Sequence, residues 1–273
     1  MISFRLTFFI AVAIFVTIFM VGCEATPQVP NTTQKNYPAA IKDSTERRAK
    51  AEREWRRMLD AYSLQQTPPD LNPISYTPHS LLGVSGGIKI LAVQPEPGSE
   101  LLALREAMKR FIDRWRDLLG ADPSAVSLVG GSDSDSAQRL TYRQVNFGFP
   151  VAGNFGEMVA VLSPDGRLLQ LDDRFIPVVE LPLRPQVERE AVQKRVAGRA
   201  FTYTDLAGHE QRTQIGGLDE VSVKRVVVLP IEKSDAIEVH LAWEVIAGKS
   251  LTWTVYIDAI NGEELKVIQN FQT

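Results

Sequence analysis

Apolar and polar residues alternate most regularly near the C-terminus of the chain, and this alternation predicts β-strands. A period of two places every second side chain on the same face of a strand. The apolar residues that follow this period in two neighbouring segments are Ile237, Val239, Leu241, Trp243, Val245, Leu251, Trp253, Val255 and Ile257. Further strands are predicted near 221–229 and 263–268, and Asn261-Gly262 favours a tight hairpin turn. We therefore predict an antiparallel sheet in this part of the chain.

The middle of the chain shows a helical period followed by more strands. Apolar residues spaced three or four apart predict an amphipathic helix from Ser99 to Gly120, with the stripe Leu101, Leu104, Met108, Phe111, Ile112, Trp115 and Leu119. Strands are predicted at 88–93, 139–147, 157–162 and 167–171. A second helix is predicted at 185–198, ahead of the C-terminal strands. Because a helix followed by an antiparallel meander occurs twice, the pattern predicts an α+β fold of two small lobes, 68–184 and 185–273, each with a helix packed on its sheet.

Two segments of different composition precede these lobes. Residues 23–42 are rich in Pro, Thr, Asn and Gln, and they are predicted to form a flexible tether. The capping-box spacing at 43–46 predicts a charged amphipathic helix over 43–67, with the apolar stripe Trp55, Met58, Leu59 and Tyr62. Two interpretations of its basic residues stay open, a solvated helix face and a contact with anionic lipid headgroups. Residues 68–273 are expected to fold by themselves without a metal.

The first 22 residues are typical of an export signal. Arg5 is their only charged side chain, and an apolar run covers 8–22. Because a membrane-spanning helix needs about 20 apolar residues, removal of the segment is favoured over its retention as an uncleaved anchor. The sequence Met20-Val21-Gly22-Cys23 resembles the lipobox of bacterial lipoproteins, in which the cysteine is acylated, although Met20 replaces the usual leucine.

The cysteine of this lipobox-like sequence is predicted to be the lipid attachment site. Cys23 is the only cysteine in the chain, so it has no partner for an internal disulfide. We therefore expect a protein that is anchored to the lipid bilayer through acylated Cys23 and located outside the cytoplasm, in the cell envelope. Glu24 stands where the inner-membrane retention signal has Asp, and this favours the periplasmic face of the outer membrane if the cell has two membranes.

Composition and charge narrow the possible partners. The chain has 30 Lys+Arg and 33 Asp+Glu, and the resulting formal net charge of −3 does not indicate a nucleic-acid partner. Hydrophobic residues make up 44% of the chain, which is enough for a buried core without disulfides.

Three local motifs resemble catalytic or metal sites but lack essential parts. His209-Glu210 begins a zinc-protease motif, yet Thr213 stands where the second histidine is required. Ser85 lies in a G-x-S-x-G sequence between a Pro-rich loop and a strand, whereas a nucleophile elbow joins a strand to a helix. Residues 130–136 cluster carboxylates and hydroxyls without the glycine and the distant Glu of a calcium loop, and they are predicted to be a mobile connection. The sequence therefore predicts no enzyme, no metal site and no cofactor.

Trp243 and Trp253 are the candidate partner-binding residues. An exposed pair of tryptophans could form an aromatic platform for a peptide. The alternative is that both belong to the core, which the aliphatic residues in phase with them favour.

Two stretches resemble the FTP and PepSY domains, which are the propeptide modules of thermolysin-like and fungalysin-like metalloproteases. The first stretch, 142–153, contains Gln144, Gly148, Pro150 and Gly153, and it is followed by the apolar strand 159–162 and by Asp-Gly-Arg at 165–167. The second comprises 241–245, 253–259 and 261–263, similar to the closing hairpins of a PepSY domain. Together they place the resemblance over about 99–271.

The resemblance implies a PepSY/cystatin-like fold and a binding role, and it assigns no catalytic residue. Domains of that family act as intramolecular chaperones and inhibitors of the protease that follows them. The present sequence continues only to Thr273, so we expect such a role to be exerted in trans on an envelope protein. A peptidase that is inhibited, chaperoned or localised is one possible partner. The alternative function is that of a structural or assembly lipoprotein in an envelope complex.

Overall fold

The computed structural model describes residues 36–80, 86–92, 96, 98–133 and 137–272, without the side chain of Asp133. The predicted signal peptide, the lipid attachment site Cys23 and most of the predicted tether lie outside these residues. Ser85 and residues 134–136 of the motifs considered above also lie outside them.

The described residues form helices and antiparallel strands, as expected for the α+β class. The helices are α1 (Thr45–Ala61), α2 (Glu100–Arg114), α3 (Arg116–Leu119) and α4 (Arg189–Val196). The strands are β1 (Ala39–Lys42), β2 (Asp70–Leu71), β3 (Pro78–Ser80), β4 (Ile88–Lys89), β5 (Val126–Asp133), β6 (Gln138–Gln144), β7 (Glu157–Leu162), β8 (Arg167–Asp173), β9 (Ala200–Thr204), β10 (Glu210–Gln214), β11 (Val221–Glu232), β12 (Ala236–Ala247), β13 (Trp253–Asp258) and β14 (Glu264–Gln269).

The first large sheet has the order β4-β8-β7-β6-β5, and its strands pair antiparallel. Helices α1, α2 and α3 cover one face and bury their apolar stripes in a common core with β6, β7 and β8. Helix α1 contributes Trp55, Met58 and Leu59 to this core, so it is part of the folded unit, and it ends at Ala61 instead of 67. The helix predicted over 99–120 is divided into α2 and α3, because the backbone at the buried Trp115 leaves the helical conformation.

The second large sheet is built around the twelve-residue strand β12. Strand β11 pairs with one side of β12 over residues 237–247 of β12. Strands β1 and β13 share the other side end to end, since β1 pairs with residues 236–239 and β13 with residues 242–247. Strand β14 then pairs with β13 and forms the far edge. Helix α4 packs on one face of this sheet.

Three segments that the sequence predicts as tether or loop contain β-strands, and one physical reason explains all three differences. The last four residues of the predicted tether form β1, residues 130–133 of the predicted mobile connection belong to β5, and the predicted loop around His209 is the end of a β9–β10 hairpin. The segments in β5 and around His209 are polar or rich in glycine, and β1 has only four residues, so none of the three shows a clear apolar period. Their order comes from backbone hydrogen bonds to a partner strand, which side-chain patterns do not report.

Candidate functional site

The two candidate tryptophans pack in the second sheet instead of forming an exposed platform. Trp253 is 2% exposed, and its ring stacks on Phe201 with the centroids 5.0 Å apart. Trp243 is half-buried, and its indole N–H donates a hydrogen bond to the Val187 carbonyl oxygen at 2.9 Å. Both rings belong to the apolar cluster under α4, so their main role is to stabilise the fold.

The zinc-like motif lies on a hairpin and not on the helix that such a site requires. His209 precedes β10, Thr213 lies within β10, and the His209 side chain is 75% exposed. Among the residues that the structure describes, no three His, Cys, Asp or Glu side chains come close enough together to hold a metal ion. The motif therefore lacks the helical placement of a zinc-protease site.

A buried polar cluster that the sequence did not indicate joins β1 to the second sheet. The Tyr37 hydroxyl donates to Asp258 Oδ2 at 2.8 Å, and His240 Nδ1 lies 2.9 Å from the same oxygen. The backbone N–H of Leu241 donates to the Tyr37 hydroxyl at 3.1 Å, at the junction between β1 and β13. These three side chains therefore close the gap between the two strands that share one side of β12.

The environment of Asp258 keeps its carboxyl ionised. Burial raises its pKa, but hydrogen bonds from His240, Tyr37 and the backbone amides of Ile260 and Asn261 outweigh burial, and the net pKa is lowered. Burial, together with the nearby Asp258 charge, raises the pKa of Tyr37, so its hydroxyl remains a hydrogen-bond donor. The cluster therefore has a structural role, because the ionised carboxylate of Asp258 accepts hydrogen bonds from side-chain and backbone donors.

Asp173 is a buried carboxyl of a different kind. Its side chain is fully buried, and its Oδ1 accepts a hydrogen bond from the Phe175 amide at 2.9 Å. Oδ2 has no hydrogen-bond partner within the described part of the chain. Burial raises the pKa of Asp173 well above its usual value, and the neighbouring charge of Asp172 adds to the increase.

The stretch 142–153 that carries the family resemblance connects the two large sheets. The Gln144 side chain donates to the Ile176 carbonyl oxygen at 2.7 Å and accepts from the Ile176 amide at 3.2 Å. Pro150 and Ala152 then hydrogen-bond to both backbone groups of Val228 in β11, as a short parallel bridge. The motif residues therefore have structural roles at the connection between the sheets.

Strand β5 has a free edge. Within the described residues it is the last strand of the first sheet and pairs only with β6. The Val145 amide donates to the Ala125 carbonyl oxygen, whereas the Gln144 amide donates to Gly156 on the other side of β6. Because hydrogen-bonded pairs alternate along an antiparallel ladder, the backbone N–H and C=O groups of Val126 and Leu128 point outward from this edge.

Exposed apolar side chains border the β5 edge on both faces of the sheet. A groove of about 400 Å³, here called the α2-side groove, lies between α2 and the sheet and is lined by Leu102, Ile112, Val126, Leu128 and Tyr142. A second groove of about 310 Å³, here called the opposite groove, is lined on the other face by Val129, Val145, Phe149 and Val151. Leu102, Val129 and Val145 are 65%, 53% and 49% exposed, respectively, so solvent reaches apolar surface on both faces.

The other described edges of the two large sheets are shorter, charged or covered. Strand β4 has two residues, and β14 exposes Glu264 and Lys266. Residues 150–152 cover part of β11 through backbone hydrogen bonds to Val228. By contrast, β5 has eight residues and contains neither lysine nor proline, two residues that commonly protect an edge, although its pairing with β6 is irregular between Leu128 and Gly130. The β5 edge is therefore the candidate functional site, and sequence analysis missed it because 130–133 lacks a strand pattern.

No protein-family profile matches the chain, and no curated protein is significantly similar to it. Among solved structures, the C-terminal domain of Bacillus megaterium YpeB aligns with a TM-score of 0.34 and 14% identity, over 84% of this chain and 98% of that one. In the part of the chain that the structure describes, no helix is long and apolar enough to cross a membrane.

Proposed function

We propose that this protein is a lipid-anchored, non-catalytic module of the cell envelope that binds a partner protein at the β5 edge. The observation that carries this proposal is the edge strand β5, in which the backbone groups of Val126 and Leu128 point outward and exposed apolar residues lie on both faces. An extended segment that adds to such an edge gains main-chain hydrogen bonds, and flanking pockets select its side chains.

The envelope location and the kind of partner rest on the sequence. The export signal and the lipobox-like sequence before Cys23 support an anchor outside the cytoplasm. The resemblance of 142–153 to FTP and PepSY propeptide modules supports a binding role toward a peptidase, which the protein would inhibit, chaperone or localise. A component of an envelope assembly is the other partner that we consider.

Site-specific photo-crosslinking in intact cells tests this function. A photoreactive amino acid would replace Val129 at the β5 edge in the full-length chain, and Leu206, which is 91% exposed on the β9–β10 turn, provides the matched control position. We expect a crosslinked protein from position 129 and none from position 206. Equal crosslinking at both positions, or no crosslinking at 129, would contradict the proposal. The identity of the crosslinked protein would decide between a peptidase and an assembly component.

The same cells test the anchor. We expect the Cys23→Ala variant to lose the fatty-acid label and to accumulate as an uncleaved precursor, because the thiol is the acceptor on which processing depends. Undiminished labelling of this variant would rule out acylation of Cys23.

A further inference from the structure

We propose that the segment bound at the β5 edge is an extended peptide that is apolar on both faces and carries carboxylates on the face toward α2. This inference rests on the proposed function and specifies the chemistry of its partner.

The two grooves lie on opposite faces of the sheet at the same edge. Successive side chains of a strand point to opposite faces, so a strand added at β5 would place alternate side chains in the two grooves. Leu102, Leu128 and Tyr142 line the groove that would receive one set of side chains, and Val129 and Val145 line the groove that would receive the other. Both sets are therefore expected to include apolar residues.

The charges near the edge distinguish the two faces. Arg105 and Lys109 line the α2-side groove together with a single carboxylate, Glu106, and neither cation forms an ion pair within the described residues. In the opposite groove, Arg143 already lies 3.6 Å from the Glu157 carboxylate. An incoming carboxylate is therefore attracted to the α2 side, where neither cation forms an ion pair with a described residue.

Tyr142 adds a hydrogen-bond donor to the same groove. Burial raises the pKa of Tyr142 to about 12, so its hydroxyl keeps its proton at neutral pH. A neutral hydroxyl beside Arg105 and Lys109 provides a further favourable contact for a carboxylate.

A second copy of the chain fits this edge less well than an acidic segment. Two β5 strands paired antiparallel about a twofold axis would form one continuous sheet, with both α2 helices on the same face. Arg105 and Lys109 of the two copies would then oppose each other across the axis. Like charges in that arrangement are unfavourable, so the edge favours a partner of opposite charge.

Peptide binding by fluorescence anisotropy tests the proposal on the lipid-free chain from residue 24 onward. The first probe is a fluorescein-labelled peptide TVEVLVET, in which one face carries valines and the other carries glutamates around a leucine. The second probe, TVKVLVKT, has lysines in place of the glutamates. We expect the acidic peptide to bind about tenfold more tightly than the basic one.

Variants and modified peptides identify the contacts. Arg105→Glu combined with Lys109→Glu should reverse the preference between the two peptides, and Val129→Lys should weaken both of them. Leu206→Lys is the matched control that should change neither. Two further versions of the acidic peptide carry methyl groups on alternate backbone nitrogens, one at the odd positions and one at the even positions. Only one set of amides faces β5, so one of these peptides should lose binding and the other should keep it.

The outcomes separate this inference from the proposed function. Equal binding of the two peptides, or no effect of the double variant, would overturn the charge assignment, and binding in both methylation phases would overturn strand addition. If position 129 crosslinks a protein in cells while the peptides show no charge preference, the function stands and the partner chemistry proposed here is wrong. If neither peptide binds and position 129 gives no crosslink, the proposed function itself fails.

Discussion

At the scale of single residues, the structure contains buried polar groups that are satisfied to very different degrees. Gln144 makes two hydrogen bonds to Ile176, and Asp258 accepts from four donors. Asp173 has only the Phe175 amide for one oxygen and no described partner for the other. An ionised carboxylate in that position would be costly, so the protonated form of Asp173 is the one that the fold favours.

Asp173→Asn is expected to change the dependence of stability on pH. The folded pKa of Asp173 is raised above its unfolded value of about 3.9, so the folded state binds more protons between these two values. The contribution of Asp173 is therefore fully present below the unfolded pKa and is lost as pH rises toward the folded pKa. We expect the free energy of unfolding of the variant to exceed that of the native protein at pH 8 by about 1 kcal/mol or more, and the difference to disappear at pH 4.

Urea unfolding at several pH values measures this difference. Asp219→Asn is the matched control, because Asp219 forms an exposed ion pair with Lys249 at 2.7 Å, away from Asp173. We expect the control variant to be slightly less stable than the native protein at pH 8. A loss of stability in Asp173→Asn at pH 8 would show that the buried carboxyl is ionised there.

At the scale of elements, β1 depends on contacts with distant parts of the chain. It contributes four residues to the second sheet, and Ile41 is 2% exposed. Just before β1, Tyr37 hydrogen-bonds to Asp258 and to the Leu241 backbone. This side chain therefore fixes the start of the folded unit within the last residues of the predicted tether.

Tyr37→Phe is expected to loosen β1 without unfolding the first sheet. The change removes a buried hydroxyl that serves both Asp258 and Leu241, and its cost should be about 1–3 kcal/mol. Amide hydrogen exchange should become faster in β1 and at residues 236–239, where β1 pairs, and should stay unchanged in β6 and β7. Tyr256→Phe is the matched control, since its hydroxyl contacts a Glu244 that also pairs with Arg225. Uniform acceleration over both sheets would contradict this local role.

At the scale of the whole molecule, residues before 68 are part of the fold. Trp55, Met58 and Leu59 of α1 are at most 1% exposed in the core of the first sheet, and β1 completes one side of β12. The division into lobes at 184/185 remains a prediction. The expectation that residues 68–273 fold by themselves does not agree with this packing, because that fragment lacks both α1 and β1.

Truncation tests the contribution of these elements. We expect residues 36–273 to unfold cooperatively on heating, and residues 68–273 to lack a cooperative transition in near-ultraviolet circular dichroism. Removing large core side chains costs about 2–5 kcal/mol each, and three of them together approach the total stability of a typical domain. A cooperative transition of similar midpoint in both fragments would show that α1 and β1 are dispensable.

The sequence by itself determined the elements that bury a regular apolar pattern. The period of two located β11 to β14, and the helical stripe located α2 and α3, because apolar side chains recur in these segments at the spacing of the element. The aliphatic residues in phase with Trp253 favoured a core position for this side chain, and the structure shows it buried against Phe201.

Only the tertiary structure decided β1, β5, the β9–β10 hairpin and the free edge. These strands are held by backbone pairing, and backbone groups are the same for every residue, so the sequence carries little trace of them. The buried cluster shows the same limit, because Tyr37 and Asp258 are separated by 221 positions in the chain. The local spacing of residues in the sequence could not predict that Tyr37, His240 and Asp258 meet. It also could not show which strand lies at the edge of a sheet.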